Sequence, residues 1–376
     1  MKRSIALLAL LSLYLPINLV NAEAAIVAKP LVQVAPVDSA AIGLALSGTQ
    51  IMVFGNREKN GFAQFINGPT VELVGGVESF ASAATTDPEG NFVLVGAGAN
   101  PIVGTLPPIN GVLNPDNVIP DPVSSNKSDA NNLWYWKLSP TGEVLDSASM
   151  LMPNTTIPTA VIADRFGITI AGTTFTDPGN SGFVVNWNNQ PTLIGKSSTQ
   201  VFAIARNSDG DVIAVGQSAE TLAGKPLRGK VDGFLAKVSN NKISLVQRSS
   251  ETKANRAWRS TSENLLLGGF SNNFAAITKF NNSFLPTWTD RYPSNGSALT
   301  AAVGKVSYGA FVSMGAFRAL PTWKRKGSLL LLQFDGKGVV TGAYFTNSGS
   351  LTALTANSAL GPVVLAGGFL YRINLG

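Results

Sequence analysis

The chain has 376 residues, of which 45% are hydrophobic and only 13% charged, with 28 basic against 22 acidic side chains and a formal net charge of +6. It contains no cysteine and no histidine, which excludes disulfides, thiolate chemistry, cysteine-based zinc sites and every histidine-based triad. The 38 glycines and 21 prolines, spread throughout, point to many short strands and turns rather than long helices.

The N-terminus has the three parts of a secretory signal. Lys2 and Arg3 precede an apolar core from Ser4 to Val20, and Val20-Asn21-Ala22 is a small-residue cleavage site. Pro16 and Asn18 interrupt a span already short for a membrane anchor, so cleavage after Ala22 is expected. The junction has no cysteine, which argues against a lipid anchor. The expected location is secreted or at the cell surface, or periplasmic if the host has an outer membrane, with no transmembrane segment in the mature chain. Losing Lys2 and Arg3 leaves 26 basic against 22 acidic residues, an excess too small to argue for nucleic acid. Residues 23–29 read as a linker and 30–376 as one domain.

From there an apolar run ending in glycine recurs: IMVFG at Gly55, FVLVG at Gly96, ITIAG at Gly172, VIAVG at Gly216, LLLGG at Gly269, FVSMG at Gly315 and VVLAG at Gly367. The glycines are spaced 41, 76, 44, 53, 46 and 52 residues apart, and the long interval contains a Pro- and Asn-rich insertion at 99–131. Each run follows a small-residue strand such as AVIAD at 160–164, FAIAR at 202–206 or LTAAV at 299–303, suited to a crowded innermost position. Each precedes a variable loop and a third strand: FAQF at 62–65, LWYWKL at 133–138, GFVVNW at 182–187, GFLAKV at 233–238, FAAITKF at 274–280 and SLLLLQF at 328–334. Tight two-residue turns are expected at Asp209-Gly210 and Asn240-Asn241. Four strands in a period of about 45 residues predict an all-β fold, a β-propeller of seven four-stranded blades. The last unit stops after LYRIN at 370–374, while PLVQVAPVDS at 30–39 precedes any first strand of its own. Pairing the two would close the ring and remove its exposed edges.

Gly90-Asn91-Phe92-Val93-Leu94-Val95-Gly96 and Asp232-Gly233-Phe234-Leu235-Ala236-Lys237-Val238 resemble the secreted bacterial seven-bladed β-propeller repeat family. Trp136-Lys137-Leu138 and Ile277-Thr278-Lys279-Phe280 are looser echoes. The resemblance implies the fold and export, and it carries no catalytic residue set.

The second-to-third strand loops share one face and several are long, whereas the turns on the other face are short in nearly every unit. Function is therefore expected on the elaborated face. Candidate ligand-binding residues there are Trp323, Lys324, Arg325 and Lys326, an aromatic beside three cations suited to an anionic polymer or to stacking on a sugar. Lys225, Arg228 and Lys230 in the 218–231 loop are further candidates, as are Asp116 and Asp121 in the insertion. The plainer reading of the first group is a solvated loop whose tryptophan packs on the neighbouring blade, and that of the aspartates is solubilising charge. Asn207-Ser208-Asp209-Gly210-Asp211 faintly resembles a calcium loop but lacks the further oxygen ligands one needs, and a turn is expected there. No catalytic residue, metal or cofactor is assigned. The sequence thus reads as a monomeric, non-catalytic binding or scaffold protein with a surface polymer, glycan or protein as partner. The alternative is a propeller enzyme acting on polysaccharide through carboxylates.

Overall fold

The computed structural model describes residues 26–374 apart from 77, 100–129, 178 and 250. The signal segment and Asp116 and Asp121 lie outside these residues. The described secondary structure is strand only.

The region from 199 to 248 shows the plan. Thr199–Arg206, Val212–Ser218, Asp232–Ser239 and Lys242–Arg248 pair antiparallel in chain order. The same order is found at 156–194, 256–293 and 299–346. It recurs at 41–73 and 78–151, which a single parallel bridge between Asn60 and Ser79 joins. The last sheet contains Ala353–Asn357, Gly361–Ala366 and Phe369–Arg372, and its fourth strand is Val32–Pro36, antiparallel to Phe369–Arg372. The pairing expected of the N-terminal strand is therefore present. The segment before it was expected to be a linker, yet Lys29–Pro30 runs parallel to Val340–Thr346, and Ile26 and Ala28 pack on the core beside them.

The first strand of each sheet lies against the first strand of the next, and Ala353–Asn357 lies against Ala41–Ser47. The core consists of apolar layers between neighbouring sheets. Val184 packs with Val201, Phe234 and Ala236, and Leu44 and Val53 pack with Leu365 and Leu370.

The recurrent glycine has a steric cause. In five units the innermost strand carries a bulge, which leaves Ile42, Ser82, Thr159, Phe202 or Arg259 as the extra residue. Opposite each bulge is Gly55, Gly96, Gly172, Gly216 or Gly269. There a Cβ would collide with a backbone carbonyl oxygen in the bulged strand or, for Gly55, just before it; for Gly216 that carbonyl is that of Gln200. These glycines sit inside strands rather than ending them, since Gln50–Arg57, Phe92–Ala99 and Val212–Ser218 all run on. Gly315 and Gly367 are different. They lie beyond Val306–Ser313 and Gly361–Ala366, in units whose first and second strands pair without a shift, so only five of the seven glycine signals share one origin.

The two expected tight turns also differ. Asn240 and Asn241, at φ 50° and 58°, form a two-residue turn between paired Ser239 and Lys242, as a type I′ hairpin requires. Asp209-Gly210 belongs to a wider turn, because Arg206 pairs with Val212. The Asn207 side chain accepts hydrogen bonds from the N–H groups of Asp209 at 3.1 Å and Asp211 at 2.8 Å. Asn281 and Asp335 repeat this in later units.

Candidate functional site

The innermost strands converge on a cavity of about 960 Å³, lined from every unit by their C-terminal halves and the turns that follow. Small side chains such as Ala84, Ala163, Ala205 and Ala301 leave this space open. Its charged lining consists of Asp164, Arg165, Arg206 and Glu263. Arg206 pairs with Asp164 at 2.7 Å and donates to the Gly210 carbonyl at 2.9 Å and to the Thr169 hydroxyl. Arg165 and Arg206 flank the exposed ring of Phe166 at 4.8 and 5.2 Å.

The long loops emerge at the other end. Beneath the 218–231 loop, Arg248 donates to the Ser218 carbonyl at 3.1 Å and to that of Glu220, and approaches the Asp232 carboxylate at 3.3 Å. The side chains of Arg248 and Asp232 are only 6% and 1% exposed. Asp232 also accepts the N–H groups of Arg228 and Gly229, at 3.0 and 2.9 Å. Glu220 accepts from the N–H groups of Lys196, Ser197 and Ser198 and from the Thr199 hydroxyl. Burial alone would raise its pKa, but these four donors outweigh it and bring the carboxyl down to about 2. With Leu222 buried as well, the loop is fixed from below, and Lys225, Arg228 and Lys230 remain exposed.

The 316–327 loop is fixed differently. Trp323 is 7% exposed, donates its Nε1–H to the Ser313 hydroxyl at 3.0 Å and meets Phe345 edge-on at 5.5 Å. The stacking surface expected of Trp323 is therefore not offered to solvent, because its ring fills the core and the plainer packing reading describes it. Lys324, Arg325 and Lys326 are exposed. Arg325 donates to Asn347 Oδ1 at 2.8 Å and lies 4.3 Å over the Phe345 ring. The candidate cations thus fall in two clusters, one in the unit at 199–248 and one in the unit at 299–346. Sequence reasoning missed Glu220, Asp232 and Arg248 as the supports of the first loop. The available signal was Arg248 itself, a basic residue at the end of an outer strand and level with the base of that loop.

No protein-family model matches the chain, and no curated protein matches it. Solved structures do. The WD40 repeats of RRP9 superpose with a TM-score of 0.55 at 9% identity, covering 93% of this chain and 94% of that one. The fold is a β-propeller. Virginiamycin B lyase from Staphylococcus aureus is similar at a TM-score of 0.50 and 8% identity, covering 91% and 98%. The Dos1 propeller is similar at 0.50 and 10%, covering 92% and 81%. At these identities the likeness concerns the propeller fold alone.

Proposed function

We propose that this chain is an exported propeller of seven four-stranded blades, closed by Val32–Pro36 in the last blade, that binds an anionic polymer without transforming it. Closure is supported by the pairing of Val32–Pro36 with Phe369–Arg372 and by the contact of Ala353–Asn357 with Ala41–Ser47. Export rests on the signal-like N-terminus and predicts that the protein recovered outside the cytoplasm begins near Glu23. Recovery with Met1 intact would contradict it.

The observation that carries the binding reading is that two long loops are held by buried anchors, Arg248–Asp232 and Trp323, while their cations stay in solvent. Ordering a long loop costs conformational entropy. Here that order presents Lys225, Arg228, Lys230, Lys324, Arg325 and Lys326 on a rigid frame, as recognition of an extended polyanion requires. The fold itself does not decide against catalysis, since one similar structure is a lyase. Polysaccharide chemistry by paired carboxylates needs acids from different blades near the axis. Among the described lining of the large cavity these are Asp164, already engaged by Arg206, and Glu263.

The test is retention of the mature protein on immobilised polygalacturonate under a salt gradient. Wild type should be retained at low salt and released as screening increases. Variants carrying Lys324→Glu, Arg325→Glu and Lys326→Glu, or Lys225→Glu, Arg228→Glu and Lys230→Glu, should elute earlier. Elution of both variants together with wild type would end the proposal.

A further inference from the structure

At the end of the innermost strands that faces away from the large cavity lies a separate recess of about 680 Å³. Two of the bulges described above shape it. Phe202 and Arg259 are the extra residues of neighbouring innermost strands, and the Arg259 guanidinium lies 3.8 Å over the Phe202 ring, with Phe270 at 5.9 Å. The recess continues over Val312, Met314 and Leu351.

Arg259 differs from the other substantially buried arginines. Arg206 faces Asp164, Arg248 faces Asp232, and Arg256 has Glu251 at 4.0 Å. Among the described residues, no carboxylate pairs with Arg259. Burial lowers its pKa with no charge acting against the shift. A guanidinium removed from water without a counter-charge is costly unless something supplies one. The aromatic contact returns only part of that cost, and the open recess leaves the fork free for a planar oxyanion. Among the described residues that line the recess, Arg259 is the single ionisable group, and Val312, Met314 and Leu351 give it an apolar wall beside the uncharged Ser297, Ser350 and Thr352. One cation next to an apolar wall suits a singly charged amphiphile better than a phosphate.

We propose that this recess binds a small organic carboxylate, with its carboxylate on Arg259 and its hydrocarbon on Val312, Met314 and Leu351. The recess borders the 316–327 loop at Gly327 but includes none of the loop cations, so either proposal can fail while the other stands.

The experiment titrates the full mature protein with octanoate by calorimetry, with octylammonium and inorganic phosphate as comparison probes. Octanoate should bind saturably, octylammonium should not, and phosphate should not displace octanoate. Arg259→Met, which keeps length and removes charge, should weaken octanoate at least about tenfold. Phe202→Leu should weaken it less, by loosening the arginine. Equal binding of octanoate and octylammonium would overturn the proposal, as would displacement by phosphate or wild-type affinity in Arg259→Met. The comparison of probes on unaltered protein decides the matter even where a variant fails to fold.

Discussion

Gly216 and Gly315 look alike in the sequence, each closing a run of small and apolar residues, and their surroundings separate them. A methyl group at Gly216 meets the Gln200 carbonyl, whereas nothing lies within 4 Å of one at Gly315. Gly216→Ala should cost about 3 kcal/mol, among the larger effects of single substitutions, and Gly315→Ala less than about 0.5 kcal/mol; urea unfolding of the two variants checks this. Glu220 supports a second prediction. Its folded-state pKa, about 2, lies below the ordinary 4.5, so its contribution is full above about pH 4.5 and is lost as the pH falls through 2. Asp211, lowered by its hydrogen bond from Lys237, acts in the same direction. Glu220→Ala should cost about 1.5–3 kcal/mol at pH 7, and the gap from wild type should narrow on acidification. A constant gap from pH 7 to pH 2 would show that the carboxylate charge is not what the four donors hold. The glycine repeat was legible in the sequence because a backbone collision forces one residue type. Glu220, Asp232 and Arg248 were not, because their partners are carbonyls and N–H groups whose positions only the fold supplies.

Among the elements, the strands were largely visible, since apolar alternation and turn residues mark them locally. Asn240-Asn241 shows this best, two residues at positive φ in the one turn type that accepts them. The turn around Asp209-Gly210 was misjudged in width because its geometry is set by the Asn207 side chain, two residues before the visible Asp-Gly. The two long loops were legible in length and charge but not in which residues face inward. Trp323 looked like a ligand platform, and the hydroxyl of Ser313 claims its N–H. Trp323→Phe, which keeps the ring and removes that donor, should leave polymer retention near wild type, whereas Trp323→Ala should weaken it by releasing the 316–327 loop. Equal losses in both variants would mean that the indole N–H, not the packed ring, is what retention needs. Arg259 was overlooked because one charged residue in a small-residue strand means little until its neighbours are known.

For the whole molecule, the N-terminal segment supplies the sharpest prediction. Removing residues 26–36 strips the partner from Phe369–Arg372 and from Val340–Thr346 and uncovers two strand edges, which are templates for association. The shortened protein should aggregate or lose its single cooperative melt, as followed by light scattering and circular dichroism. A melt identical to wild type would show that the segment is dispensable. The same pairing has a consequence in time. Val32 is made well before its partner Arg372, and contacts this distant along a chain form late and slowly. Units such as 156–194 and 199–248 can assemble as they emerge, but Val32–Pro36 must wait unpaired until Phe369–Arg372 has been made. A strand made before those units is thus placed after them, and until then its edge is open to the wrong partner.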